Sequence, residues 1–319
     1  MSTATKSLGL TDYQREQRAK RLTATDMAAV LGLSKYKTPY DVWAIKTGKV
    51  PEDYQGSEAA DLGLRLQDGL LDLAADRLGE GIIRNQWRTG DHPHLGATLD
   101  AITQTTNEPV EAKTHGLLNA RALDMSQWGE DGSDVVPDEH VIQVTVQMIV
   151  TGAKAANLIA LLSGFGTRLY RIPYIPIIAD EIQEKASEFW EKHVQADVPP
   201  PAPNGAPMEI LKRMPREAGK SIEVSDELAE EYAIAHQLLK DAEERADRAK
   251  SLVRKVMAES HAEIGVSKLG KFKDGLCAGA MRLNTEALKE AHPDLVAKFM
   301  QRGADYRRFT FTAAKGGVK

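Results

Sequence analysis

Residues 95–113 read LGATLDAITQTTNEPVEAK, and this stretch decides the fold. Two strand-like runs, Gly96 to Ile102 and Val110 to Thr114, flank a polar turn from Gln104 to Glu108 that Pro109 closes. Side chains alternate between the faces of a strand. Glu111 and Lys113 therefore share one face, and Val110 and Ala112 share the opposite, core-facing one. Asp100, on the first strand, can converge with the acid and the amine on its neighbour. Two carboxylates suit a hard divalent cation such as Mg²⁺, which takes carboxylate oxygens and keeps several waters. The chemistry this permits is metal-assisted hydrolysis of a phosphodiester. Asp100 and Glu111 would hold the ion, which acidifies a water and offsets charge on phosphate oxygens. Lys113 would orient or deprotonate the attacking water. Acids and lysines are common, and on the spacing alone a surface hairpin with solvated charges is the commoner outcome.

Moving outward, Thr11 to Arg21 has the character of a helix ending in the basic cluster Arg15, Arg18, Lys20 and Arg21. Thr25 is placed to cap a short helix from Asp26 to Leu31 that Gly32 ends. Ser34 to Thr38 is a turn, and Pro39 opens a second helix through Lys46. Helix N-termini beside Arg18 and Thr25 would form an anion site; plain caps and surface charges explain the same residues. Asp61 to Leu78 carries an apolar stripe of Leu62, Leu66, Leu70, Leu73 and Ala74, with Gln67 and Asp68 near its middle. Ile82 to Trp87 is a strand, and His92 and His94 fall in a turn with solvent-exposed imidazoles. His115 to Pro137 is loop-like and contains Trp128 and Gly129. Val141, Val144, Met148 and Thr151 then recur at helical spacing, with Gln143 and Gln147 on another face, facing either a site or solvent. Strands follow at Ala155 to Ser163 and Leu169 to Ile175, and a helix at Ala179 to Val194.

Val198 to Pro207, VPPPAPNGAP, is the clearest boundary. It divides the chain into residues 1–197, a linker at 198–218, and residues 219–319. Beyond it, Asp226 to Glu259 steps through Leu228, Tyr232, Ala235, Leu239, Ala242, Ala246, Ala249, Val253 and Val256, a narrow coiled-coil-like seam. The seam either closes on an intramolecular hairpin or serves association. Gly265 to Cys277 reads as two short strands, Thr285 to Met300 as a helix, Arg307 to Thr312 as a last strand, and residues 1–8 as disordered.

With 319 residues and a 42% hydrophobic fraction the chain can hold one or two ordinary globular domains. A net charge of −5 does not advertise a nucleic-acid binder, but a cleft needs only local positive potential. The single Cys277 argues against disulfides and cysteine-ligated zinc. A polar N-terminus and the lack of a long apolar run point away from a signal peptide and from the membrane, and toward the cytoplasm, which with the resemblance described next would be that of a bacterial or phage-infected cell.

Taken in order, several segments resemble the YqaJ-like viral recombinases, a lambda-exonuclease-like branch of the restriction-endonuclease-like PD-(D/E)XK nucleases. They are TATDMAAVLGLSKYKTPYDVWAIKTG, GLRLQDGL, LDAI followed by VEAK, the pair Trp128–Gly129, QVTVQMIVTGA and FWEKHV with VPPP; the tail LNTEALKEAHPDLVAKF with YRRFTFT fits as well. The resemblance runs from about Arg18 to Pro201. It implies an α+β fold: a mixed central sheet flanked by the helices of residues 58–78 and 138–152, followed by a mainly helical C-terminal region. It also implies an Mg²⁺-dependent exonuclease, with Mn²⁺ as an alternative ion. Such an enzyme degrades one strand of duplex DNA from its 5′ end, leaving a 3′ tail for a single-strand annealing protein in phage-type recombination. The family includes a ring-shaped homo-oligomer. Asp100, Glu111 and Lys113 match the metal ligands and catalytic lysine; Arg18, Thr25 and Thr98 match contacts to the 5′ phosphate; Gln143 matches a glutamine of the active-site helix. Thr145 stands where many members have a second glutamine. Gln67 stands where the family usually has a catalytic Glu, which costs the site one negative charge. Three outcomes follow: the site tolerates Gln, Asp68 or Asp72 substitutes, or catalysis is impaired. The last would make the chain a DNA-end-binding recombination protein with a weakened or inactive nuclease site.

Overall fold

The computed structural model describes residues 10–52, 57–119, 121 and 123–303. The chain divides between Arg216 and Glu217 into two compact units.

In the first unit, helix α1 (Asp12–Ala19) leads through β1 (Leu22–Thr23) into α2 (Ala24–Val30) and α3 (Pro39–Lys46). All three helices open with a capping box, in which a threonine hydroxyl accepts from the third helical N–H while that residue's side chain takes the threonine's own N–H. The cap of α2 is Thr23, not Thr25 as the sequence suggests. Helix α4 (Glu58–Leu78) ends at Gly79, whose φ of +69° is costly for any residue with a Cβ. Strands β2 (Ile82–Arg88), β3 (Leu95–Thr103) and β4 (Pro109–His115) follow. Helix α5 (Asp138–Thr151) then crosses to β5 (Ala155–Leu162), and β6 (Gly166–Pro173) and α6 (Pro176–Phe189) complete the sequence, α6 running on as a π-helical turn over Trp190–Gln195.

The strands form one mixed sheet in the order β1-β3-β4-β5-β6, with β2 also on β3. Strand β3 pairs parallel with β1 and antiparallel with β2 and β4; β5 pairs parallel with β4 and antiparallel with β6. The parallel β4–β5 pair requires a crossover, and α5 supplies it. Strand β4 meets β3 only at Ala101–Val110 and Ile102–Pro109, then runs on beside β5 as far as His115. Helix α4 covers one face, with Leu70, Leu71 and Ala74 on Ala101, Val110 and Ile159. The opposite face lies under α2, α3, α5 and α6, through Met27, Trp43, Ile142, Val146 and Ile182 against Leu95, Leu99 and Ile102. A sheet covered on both sides explains the nearly continuous apolar run of β5. It also corrects the expectation that only one face of β4 is buried, because Val110 and Glu111 both are.

Other segments are more tightly integrated than their composition suggests. Glu108, in the polar turn, is buried and accepts from Asn157 Nδ2 (3.0 Å) and Arg171 Nη2 (2.5 Å). His92 and His94 are half-buried: the Nε2 of His92 lies 3.0 Å from the Gln183 carbonyl, and His94 stacks on Trp190. Past the proline-rich stretch, α7 (Met208–Arg213) places Ile210 in the first unit's core.

The second unit contains α8 (Asp226–Glu259), the hairpin β7 (Ile264–Ser267) and β8 (Gly270–Lys273), and the short helices α9 (Thr285–Ala291) and α10 (Pro293–Phe299). The single helix expected over 285–300 is broken at His292, because a residue preceding proline is driven out of the α region. Leu228, Leu239 and Val256 of the α8 seam are exposed. The expected strand at Arg307–Thr312 and the disordered stretch at residues 1–8 lie outside the described residues. No helix among the described residues is long and apolar enough to cross a membrane.

Gly96 on β3 marks a close approach. A Cβ there would lie 2.6 Å from the ring of Trp87 and 3.2 Å from Arg21. Gly96→Ala should cost about 1–3 kcal/mol of stability, as overpacking does. A melting temperature equal to that of the wild type would show that Trp87 can yield.

Candidate active site

Asp100, Glu111 and Lys113 come together where β4 parts from β3. The Ala112 N–H, one residue past the first unpaired position of β4, is satisfied by Asp100 Oδ2 at 3.0 Å. A side-chain carboxylate thus takes an N–H at the point where the β3–β4 pairing has stopped. Glu111 is buried, and three donors meet its carboxylate. Lys113 Nζ (2.6 Å) and Gln143 Nε2 (2.5 Å) donate to Oε1, and Gln147 Nε2 (2.6 Å) donates to Oε2. The two glutamines lie one turn apart on α5 and face the strand together. Both are buried, not exposed to solvent as the other reading of the pair has it. Gln147 also fills the place that alignment by resemblance gives to Thr145, whose hydroxyl instead donates back to the Val141 carbonyl. The spacing of Gln143 and Gln147 was the available signal.

The acids interact strongly. Burial, then the charge of Glu111, pushes the Asp100 carboxyl up to about 7, against the opposing pull of Lys113, the Ala112 N–H and a hydrogen bond from Gln67. Burial works against the Lys113 ammonium, but Glu111 and Asp100 outweigh it and hold the amine above its ordinary value. Gln67, on α4, is thus near enough to Asp100 to favour its charged form. The two acids that could have replaced its missing charge, Asp68 and Asp72, are exposed and both bind Arg84.

Among the described residues no cluster of three or more His, Cys, Asp or Glu could hold a metal. A pair of carboxylates is nonetheless the usual protein share of a Mg²⁺ site, with substrate and water supplying the rest. The mutual repulsion of Asp100 and Glu111 is a charge imbalance that a divalent cation would relieve, so the residues present fit such an ion.

Two further groups flank the pair. Beyond Lys113 on the same face of β4, His115 Nε2 lies 3.0 Å from His140 Nε2 of α5, so one imidazole donates and the other accepts. Burial first, then Lys113 and Lys35, lowers His115 to about 4 and His140 well below its usual value; both are neutral at pH 7. Trp128 packs on both rings and on Tyr170, which takes it out of the loop-like character its neighbours suggest and into a core. On the other side, Asp26 is buried with Lys46 (2.8 Å) beneath α1 and α2, and Lys46 Nζ also donates to the Arg18 carbonyl at 2.7 Å. Burial alone would raise the Asp26 carboxyl, but Lys46, Lys37 and Arg18 together drive it far below the ordinary range. Arg18 Nη2 binds Glu52 at 2.8 Å, while its buried Nε has no partner; the buried Thr98 hydroxyl has none either. Thr25 is exposed, its hydroxyl 3.1 Å from that of Thr23.

Over 306 residues the chain is 25% identical to the uncharacterized protein YqaJ of Bacillus subtilis strain 168, covering 92% of this chain and 91% of that one. Among solved structures it is similar to an alkaline exonuclease, LHK-Exo, from Laribacter hongkongensis, with a TM-score of 0.48 at 18% identity over 59% of this chain and 94% of that one. It is also similar to a phage related exonuclease from Haemophilus somnus 129PT, with a TM-score of 0.39 at 13% identity over 56% and 95%. Residues 14–154, which hold Arg18, Gln67, both acids, Lys113 and both glutamines, match the model of the YqaJ-like viral recombinase domain, the family that the sequence resembles.

Proposed function

We propose that the chain is a Mg²⁺-dependent exonuclease that removes nucleotides from the 5′-terminated strand at ends of double-stranded DNA. The observation that carries the reading is the buried acid pair Asp100 and Glu111 with Lys113 Nζ 2.6 Å from Glu111. Asp100 and Glu111 would hold the ion, which when bound supplies an acidified water and positive charge at the phosphate. Gln143 and Gln147 fix the Glu111 carboxylate, so its lone pairs are aimed before any ligand arrives. Lys113 is held protonated, which supports a role in orienting the water and offsetting phosphate charge over one in abstracting a proton. The unpartnered Arg18 Nε and Thr98 hydroxyl support an anion beside Thr25, the 5′ phosphate of the strand being cut. The 3′ tail left behind is what an annealing protein would take up, and the exposed α8 seam is open to self-association or to that partner.

Gln67 favours a second reading, a DNA-end-binding protein with a weakened metal site. Its amide favours the charged form of Asp100 but adds no negative charge toward a cation.

Nucleotide release from an end-labelled linear duplex separates these. Lys113→Ala and Glu111→Ala should each lose about 10²–10⁴-fold in rate, and unchanged rates in both would remove the site from contention. Gln67→Glu with unchanged end binding and a large gain in rate would favour the weakened-site reading. Mg²⁺ should raise the melting temperature more at pH 8 than at pH 6. Asp100 binds a proton below about pH 7, and a ligand that prefers the ionised folded site stabilises it more once that proton has left. Equal increments at both pH values, or an increment surviving in Asp100→Asn, would argue against this ligand pair. Arg18→Ala should slow digestion of 5′-phosphorylated ends by at least about tenfold, as loss of a charge-assisted hydrogen bond implies, and of unphosphorylated ends far less. Equal losses would exclude an end-phosphate role.

A further inference from the structure

The turn between α2 and α3, Ser34-Lys35-Tyr36-Lys37-Thr38, has no part in the chemistry above. Tyr36 is 86% exposed, more than any other aromatic ring among the described residues. Its surroundings are nevertheless well fixed. On the α2 side, Gly32 takes a φ of +72°, and the N–H groups of Leu33 and Ser34 both donate to the Ala28 carbonyl, at 2.9 and 3.2 Å. Within the turn, Ser34 Oγ accepts from the N–H of Tyr36 (3.2 Å) and of Lys37 (3.3 Å). On the α3 side, the Thr38–Asp41 capping box closes it. Hydrogen bonding thus presents an aromatic ring to solvent on a held backbone.

The two flanking lysines reach opposite parts of the site. Lys37 Nζ lies 3.7 Å from Asp26, within the Arg18–Lys46 group that bears the unpartnered guanidinium Nε. Lys35 makes no ion pair among the described residues; its charge acts on His115, His140 and Asp124, beside Lys113. The turn therefore carries Tyr36 between Lys37, at the Arg18–Asp26–Lys46 group, and Lys35, whose charge is felt at His115 and His140. A π-face flanked by two cations matches one unpaired nucleotide, its base on the ring and its neighbouring phosphates on the lysines. Such stacking accepts any base, because every base has a π-face.

We infer that Tyr36 is a stacking platform for an unpaired base at the end of the DNA strand, with Lys35 and Lys37 holding the phosphates on either side. The inference rests on the proposed nuclease reading for the position of the strand, and makes Tyr36 a positioning residue that selects frayed or single-stranded ends.

The test uses the full chain in Ca²⁺ without Mg²⁺, so that binding is read without digestion. The ligand is a 5′-phosphorylated duplex with 2-aminopurine as the terminal base, opposite a mismatch, and a second duplex carries the same base internally. Binding by the wild type should quench the terminal 2-aminopurine and leave the internal one unchanged. Tyr36→Ala should lose that quench and about tenfold in affinity, within the range measured for single base–aromatic stacks; Tyr36→Phe should keep both. Tyr36 is exposed, and a melt of each variant confirms folding. Tyr36→Ala with undiminished quench and affinity overturns the platform, as does a wild type that does not bind the mismatched end. A wild type that binds and quenches but releases no nucleotides when Mg²⁺ is supplied upholds the platform and overturns the nuclease reading. A wild type that digests DNA while Tyr36→Ala matches it in quench and affinity does the reverse.

Discussion

A carboxylate withdrawn from water costs several kcal/mol unless other groups take over its solvation, and Glu111 is withdrawn almost completely. Lys113, Gln143 and Gln147 replace that water, one from the same strand and two from the crossover helix. Register therefore has consequences at this point. A slip of one residue on β4 would exchange Glu111 for Val110 or Ala112, leaving the glutamines facing methyl groups and the acid facing the apolar stripe of α4. The contacts that hold the Glu111 carboxylate also fix α5 over the sheet.

Asp100 completes the site by a different route. It occupies a place where strand pairing has ended, and its carboxylate accepts an N–H that a longer ladder would have used. The parting of β4 from β3 leaves two acids close enough to repel each other in a poorly solvated space. Native structures tolerate such an arrangement where a ligand restores the balance. Gln67 fits this account. A glutamine beside Asp100 favours its charged form and adds no further negative charge of its own.

Around this centre the polar groups are graded. The Arg18–Asp26–Lys46 group has its own buried ion pair and still leaves a guanidinium N–H and the Thr98 hydroxyl without partners. The His115–His140 pair packs against Trp128, which in turn packs on Tyr170. The turn carrying Tyr36 reaches toward both groups. The acid pair itself lies on the two central strands β3 and β4, beneath helices whose apolar faces cover the sheet on both sides.

Local features were legible in the chain alone. The ribbon of residues 95–113, the stop at Gly79, the Thr38–Pro39 helix start and the long charged helix all follow from side-chain alternation, backbone preference and helical spacing, properties of neighbouring residues. The convergence of Asp100, Glu111 and Lys113 was foreseeable because a hairpin brings its own strands together. Packing decided the rest. Gln147 and not Thr145 meets Glu111, Thr23 and not Thr25 caps α2, Asp68 and Asp72 turn to Arg84, and Trp128 leaves its polar neighbours for a core. Each depends on which face of one element is turned toward another far away in sequence, and that orientation is set only when the two apolar faces of the sheet are covered.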